Sequence, residues 1–197
     1  MTTADGGLDD DEILDDDDID DEGHGAGAGP RSAAWRGPSP RRWLLFATLA
    51  IGVLIVDQAT KAWITSSLTS GQAPVEVLGD WLRIVYWTNS GILFGLLPQS
   101  GPAFAVVSIA VVGLIGLYHA RAARGIVTTL ALGLLLGGAL GNLVDRLRFG
   151  AVIDWVDMGI GQWRFFTYNV GDAAISTAIA LLLLMAVFPR LADWDAG

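Results

Sequence analysis

Asp145 and Asp172 are the residues of this chain best placed to do chemistry. The run from Ile126 to Val144 carries no charge before Asp145 and Arg146 close it, and the run from Ala173 to Phe188 carries none after Asp172 opens it. If both runs cross a membrane, their short connection makes them antiparallel neighbours and brings the two carboxyls to one membrane face. Carboxylates beside lipid are costly to leave ionised and unpaired. Two close carboxyls tend to share one proton, since both cannot ionise cheaply in a low-dielectric site. One then acts as base on a water while its protonated partner polarises a carbonyl, which is peptide hydrolysis of the aspartic type. On these residues alone, a proton or cation relay through the same pair fits equally well, and a small membrane transporter is the alternative reading. A third reading, a four-span scaffold, makes both aspartates replaceable.

Further polar residues fall at the same depth. Asp57 and Lys61 are one helical turn apart and can pair; the plainer reading is a pair that snorkels to the interface. Asn142 precedes Asp145 by three residues and Arg146 by four, and Asn169 precedes Asp172 by three. Each aspartate thus has an amide near it that could orient it or a substrate carbonyl. The plainer reading of Asn169 and Asp172 is capping of a helix start. The chain has no cysteine, which excludes thiolate nucleophiles, disulfides and Cys-based metal sites. Its two histidines, His24 in a tail and His119 in what reads as a short loop, make a histidine metal centre or a Ser/His triad improbable, so no metal and no cofactor is expected.

The elements that must hold these groups are read from the apolar blocks. Of 197 residues 52% are hydrophobic, with mean hydropathy +0.49, and the apolar residues come in blocks rather than amphipathic periods, which indicates a polytopic membrane protein. Four spans are expected: Trp43 to Trp63, Ala103 to Tyr118, Ile126 to Leu147 and Val170 to Phe188. Gly133, Gly137 and Gly141 give the third span one glycine face against which another helix can pack closely. The stretch VEVLGDWLRIVYWTNSG, within residues 66–101, alternates and is rich in Val, Ile, Trp and Tyr, which predicts short strands with an interfacial aromatic belt. Residues 148–169 read as an outer loop in which Asp154 is structural, pairing with Arg146 or Arg148.

Residues 1–29 hold 12 of the 21 acids and no Lys or Arg, so the net charge of −9 belongs to a tail and not to the body. The expected division is a disordered acidic tail with a basic juxtamembrane linker over 1–42, a four-helix domain over 43–190, and a short tail over 191–197. The Lys/Arg bias puts both termini in the cytoplasm and the 66–101 and 148–169 segments outside. Arg83, Arg146, Arg148 and Arg164 oppose that bias, and acidic neighbours there can pair with three of them.

Four blocks, in order, resemble the bacterial lipoprotein signal peptidases (signal peptidase type II). DQATK (57–61) is similar to the family's DQxxK, and TNSGILFGLL (88–97) to its NxGxxFG block. GNLVDRLRFGAVIDW (141–155) is similar to GNxxDRxxxGxVxDF, and YNVGD (168–172) to FNxAD. The resemblance covers residues 43–188 and omits the acidic tail. It implies an all-α membrane protein, a four-transmembrane-helix bundle with a small extracytoplasmic β element. It also implies an aspartic endopeptidase that cuts diacylglyceryl-modified prolipoproteins just before the lipid-bearing cysteine. Carried over by motif, Asp145 and Asp172 are the expected catalytic dyad. Asn89, Gly91, Asn142, Arg146 and Asn169 form the surrounding polar shell, with Asp57 and Lys61 further out. The expected partners are lipid-modified prolipoproteins and membrane lipids, with no nucleic acid, and the protein is expected to be a monomer. The expected location is the bacterial plasma (inner) membrane, with the active site at its outer face. Trp81, Tyr86, Trp87 and Phe94 are expected to cover the site or to anchor at the interface. The departures are Tyr168, Gly171, Trp155 and the larger pair Ile92-Leu93, and none removes an ionisable group.

Overall fold

A computed structural model describes residues 37–90, 101–122 and 125–191. The acidic tail, Gly91, Ile92-Leu93, Phe94 and residues 192–197 lie outside the described residues. Four helices are long and apolar enough to cross a membrane: α1 (Pro40–Ser67), α2 (Gly101–Ala122), α3 (Ile126–Phe149) and α4 (Val170–Val187). Ser39 caps α1 by accepting from the Arg42 amide, with Pro40 at the first helical position, where its missing N–H costs nothing. The expected spans are recovered, each within a few residues of its expected ends.

α3 is the centre of the bundle. It is 61% buried over its apolar window against 17–22% for the other three, so they keep most of their apolar surface for lipid. The glycine face explains how α1 reaches it. A Cβ on Gly137 would stand 2.6 Å from the Ala50 carbonyl oxygen, and one on Gly141 would collide with the Asp57 carboxylate. Only a bare backbone permits this approach, and it carries Asp57 against α3. Gly150, in the left-handed region at φ 71°, ends α3 by donating its N–H to the Arg146 carbonyl.

Beyond that end lies an antiparallel meander in the order β1 (Val75–Leu78), β2 (Leu82–Asn89), β3 (Val152–Ile160) and β4 (Trp163–Arg164). The strands expected within 66–101 are β1 and β2. The segment 148–169 is not simply the expected loop: half of it is β3 and β4. Two aspartates break the apolar alternation of VIDWVDMGI, and what makes it a strand is pairing with β2, which one-dimensional periodicity does not record. The β2–β3 register sets Trp87 opposite Asp154 and Asn89 opposite Val152. Tyr168 then exchanges backbone hydrogen bonds with Val156, returning the chain to the start of α4.

His119 is also corrected. It lies inside α2, fully buried, stacked on Phe46 at 4.0 Å with Trp43 edge-on at 4.6 Å. α2 simply continues one turn past the expected end, since nothing between Tyr118 and Ala122 breaks a helix.

Candidate active site

The site is built where α1 ends, α3 ends and α4 begins. Asp57 and Lys61, four residues apart on α1, form the expected ion pair at 2.7 Å. The same lysine reaches Asp145 of α3 at 2.8 Å and donates to Asn142 Oδ1 at 3.0 Å. All three charged side chains are 0–2% exposed, so each must be satisfied internally. Lys61 spends its three protons on three acceptors. Asp145 is equally occupied. Its Oδ1 accepts from Gln58 at 2.9 Å, and its Oδ2 accepts from the Ile153 backbone N–H at 3.1 Å besides pairing with Lys61.

Asp172 lives in a different setting. Asn169 and Asp172 form a reciprocal capping box at the start of α4: the Asn169 side chain accepts from the Asp172 N–H at 2.9 Å, and Asp172 Oδ2 accepts from the Asn169 N–H at 3.2 Å. The capping role is therefore real, and it leaves Asp172 Oδ1 to accept from Asn142 Nδ2 at 2.8 Å. No basic side chain is seen to ion-pair with Asp172 among the described residues.

Asp154 is not paired with Arg146 or Arg148 as expected. Its carboxyl, 2% exposed on β3, accepts from Asn169 Nδ2 at 2.7 Å and from Asn89 Nδ2 at 3.3 Å. Arg146 instead donates to the Asn142 carbonyl at 3.3 Å and contacts Ser108 of α2 at 3.5 Å, while Arg148 lies over the Phe149 ring. Burial, reinforced by the Asp172 charge, pushes the Asp154 carboxyl up to about 7; the Asn169 and Asn89 hydrogen bonds and the Lys61 charge restrain it. Asn169 thus touches both Asp154 and Asp172.

A second charged cluster sits outboard on the sheet. Arg83 and Arg164 both grip Asp157, at 2.6 and 3.0 Å, and both also reach Asp80, so two of the four outer arginines ion-pair with acids among the described residues, one fewer than expected. Burial alone would push Asp157 up, but its hydrogen bonds from Arg164 and Arg83 win and hold it below the ordinary carboxylate range.

Of the expected site residues, Asp57, Lys61, Asn142, Asp145, Asn169 and Asp172 form one connected hydrogen-bond network. Asn89 joins through Asp154, Arg146 flanks the network, and Gly91 lies outside the described residues. Gln58 was not anticipated, although it stands inside the DQATK block: its amide donates to Asp145, to the Gly141 carbonyl and to Asp57. Among the described residues no three His, Asp or Glu side chains group as a metal site.

Fold and site together define a polytopic membrane protein with a buried carboxylate centre at one end of its bundle. The family described as Signal peptidase (SPase) II matches residues 49–188, and the chain belongs to that family. It is a protease of the bacterial membrane. The lipoprotein signal peptidase of Pelotomaculum thermopropionicum is 41% identical over 140 residues, covering 70% of this chain and 88% of the relative. That of Syntrophotalea carbinolica is 39% identical over 158 residues, covering 78% and 91%. A bacterial membrane enzyme solved by the in meso method at 2.3 Å shares the fold with a TM-score of 0.68 and 26% identity, over 76% of this chain and 92% of that one.

The transporter reading is disfavoured by this membership. It is also disfavoured by α3, whose buried residues between Thr129 and Asn142 are Ala131, Leu132, Gly133, Gly137, Gly138 and Gly141. That leaves roughly 20 Å of the helix without a buried polar side chain to relay a proton.

Proposed function

We propose that this protein removes the signal peptide from diacylglyceryl-modified prolipoproteins, cutting before the lipid-bearing cysteine, with Asp154 and Asp172 as the working carboxyls. The observation that carries this reading is Asn169, whose side-chain amide donates to the Asp154 carboxyl and whose backbone N–H donates to the Asp172 carboxyl. This one residue so joins two carboxyls, neither of which is ion-paired to a lysine or arginine among the described residues. The expected dyad of Asp145 and Asp172 gives way at its first member. Asp145 accepts three hydrogen bonds, one of them from the buried ammonium of Lys61, whereas the contacts to Asp154 and Asp172 come from neutral amides. Asp145 is thus the carboxylate tied to a fixed cation, and the other two are the ones left for a water and a carbonyl.

In this reading Asp154 carries the shared proton and hydrogen-bonds the scissile carbonyl, while Asp172 takes a proton from the attacking water. The tetrahedral intermediate collapses as Asp172 returns the proton to the leaving amine. Asn142 and Asn169 hold Asp172 in place throughout. A lipidated substrate stays in the bilayer, so a carboxylate pair at the bundle end meets the cleavage site where the acyl chains meet the peptide. The Lys/Arg bias supports cytoplasmic termini and an active site at the outer face.

Purified protein should convert a diacylglyceryl-modified precursor to a product whose mass begins at the lipidated cysteine, and should leave the unlipidated precursor intact. Equal cleavage of both would remove the substrate assignment. A tag near Gly71 that reports cytoplasm would remove the orientation.

A further inference from the structure

The Asp57–Lys61–Asp145 triad is fully buried, connects α1 and α3 with β3 and α4, and takes no part in the chemistry just described. Its two carboxylates have one feature in common. Asp57 Oδ1 accepts from the backbone N–H of Gly171 at 2.8 Å, and Asp145 Oδ2 accepts from the backbone N–H of Ile153 at 3.1 Å. Gly171 immediately precedes Asp172, and Ile153 immediately precedes Asp154. Each carboxylate therefore grips the peptide group one residue ahead of a dyad member, and Lys61 ties the two grips together at 2.7 and 2.8 Å.

Gln58 adds a second tie by bonding to both carboxylates, and the third proton of Lys61 runs through Asn142 to Asp172. The Gly171 N–H is one of the open donors at the start of α4, where an anion also meets the positive end of the helix dipole. Charge-assisted bonds to backbone N–H are short and directional, so they fix position better than packing alone. Stability gives no sufficient reason for such a triad, because well-packed neutral residues often replace buried ion pairs without loss.

We propose that Asp57, Lys61 and Asp145 are positioning residues, a lysine-centred clamp that sets the separation of the Asp154 and Asp172 carboxyls by holding the backbone ahead of each. The proposal rests on the dyad reading above. It predicts that the clamp acts on turnover and not on substrate affinity, since none of the three side chains reaches the surface.

The test uses purified full-length enzyme and a lipid-modified precursor. Asp57→Asn keeps an oxygen for Gly171 and leaves Lys61 paired with Asp145, so no charge is stranded. It should lower kcat by about 10- to 100-fold, the cost of a small misplacement of reacting groups, with KM within about twofold of wild type. The triple variant Asp57→Asn/Lys61→Met/Asp145→Asn removes every charge of the triad. It should keep a thermal midpoint near wild type and lose turnover still further. Wild-type kcat in Asp57→Asn overturns the clamp, and so does a triple variant that is both stable and active. A rise in KM equal to the loss in kcat/KM overturns it as well. If the triple variant fails to fold, Asp57→Asn alone decides. Asp154→Asn run beside them separates the two readings: its activity would remove the dyad, whereas an inactive Asp154→Asn with a fully active Asp57→Asn removes only the clamp.

Discussion

Asp154→Asn separates stability from activity. In the folded protein burial, and then the charge of Asp172, lift the Asp154 carboxyl from 3.8 to about 7. A folded-state pKa above the unfolded one means that the folded chain holds this proton more tightly. The resulting stabilisation is complete below the unfolded value of 3.8 and is lost as the pH climbs through about 7. At roughly 1.36 kcal/mol per pH unit, the loss over the whole window is of the order of 4 kcal/mol, and over the part above pH 5 it is about 3 kcal/mol. Asparagine does not titrate and loses none of it. Its amide does meet donors from Asn169 and Asn89, but that cost is the same at every pH. The variant's thermal midpoint relative to wild type should therefore rise by roughly 5–10 °C between about pH 5 and pH 8.5. With eight tryptophans in the chain, intrinsic fluorescence during a thermal ramp in nanodiscs reads it directly. Cleavage should be absent at both pH values. Parallel midpoint curves for variant and wild type would refute the raised carboxyl, and with it the reason for giving Asp154 the proton.

Gly141→Ala places a methyl group on the Asp57 carboxylate and should cost about 1–3 kcal/mol, whereas Gly116→Ala, with nothing within 4 Å, should leave the thermal midpoint unchanged or slightly raised. Equal effects of the two would contradict the close α1–α3 approach. Asp157→Asn breaks the grip of Arg83 and Arg164 and should lower stability at neutral pH by about 1–3 kcal/mol, with faster proteolysis of the β3–β4 hairpin. The folded pKa of Asp157 is depressed, so its contribution is present above the ordinary carboxylate range and is lost as the pH falls through the folded value. The gap between variant and wild type should accordingly close in acid, and a gap that persists there would count against the ion pairs.

The spans were legible because charge-free runs of this length have few other uses, and the glycine spacing named the face that α1 uses. The capping box was legible because Asn169 and Asp172 stand at capping distance just before an apolar run. What sequence could not assign was the division of labour among the aspartates. Asp145 and Asp154 occupy one motif; Asp154 reads there as paired with Arg146 or Arg148, and Asp145 reads as the free carboxyl until Lys61 is seen to cross from α1 to α3. That crossing depends on Gly141, whose spacing marks a packing face but does not say that Asp57 of α1 is what fills it. Asp154 was further disguised by lying in a strand that exists only through its pairing with β2, and its amide partners come from residue 89 and residue 169. His119 went astray for a simpler reason, since the basic residues that follow it look like the end of a helix that in fact runs on.

The central claim is the identity of the carboxyl pair, and the conversion of a lipid-modified precursor by three purified variants tests it most directly. Asp154→Asn and Asp172→Asn should each yield no mature product while still binding precursor. Asp145→Asn should retain slow but measurable turnover at near wild-type KM, because it loosens the Lys61 clamp without removing a reacting group. Turnover by Asp154→Asn together with a dead Asp145→Asn would contradict the account.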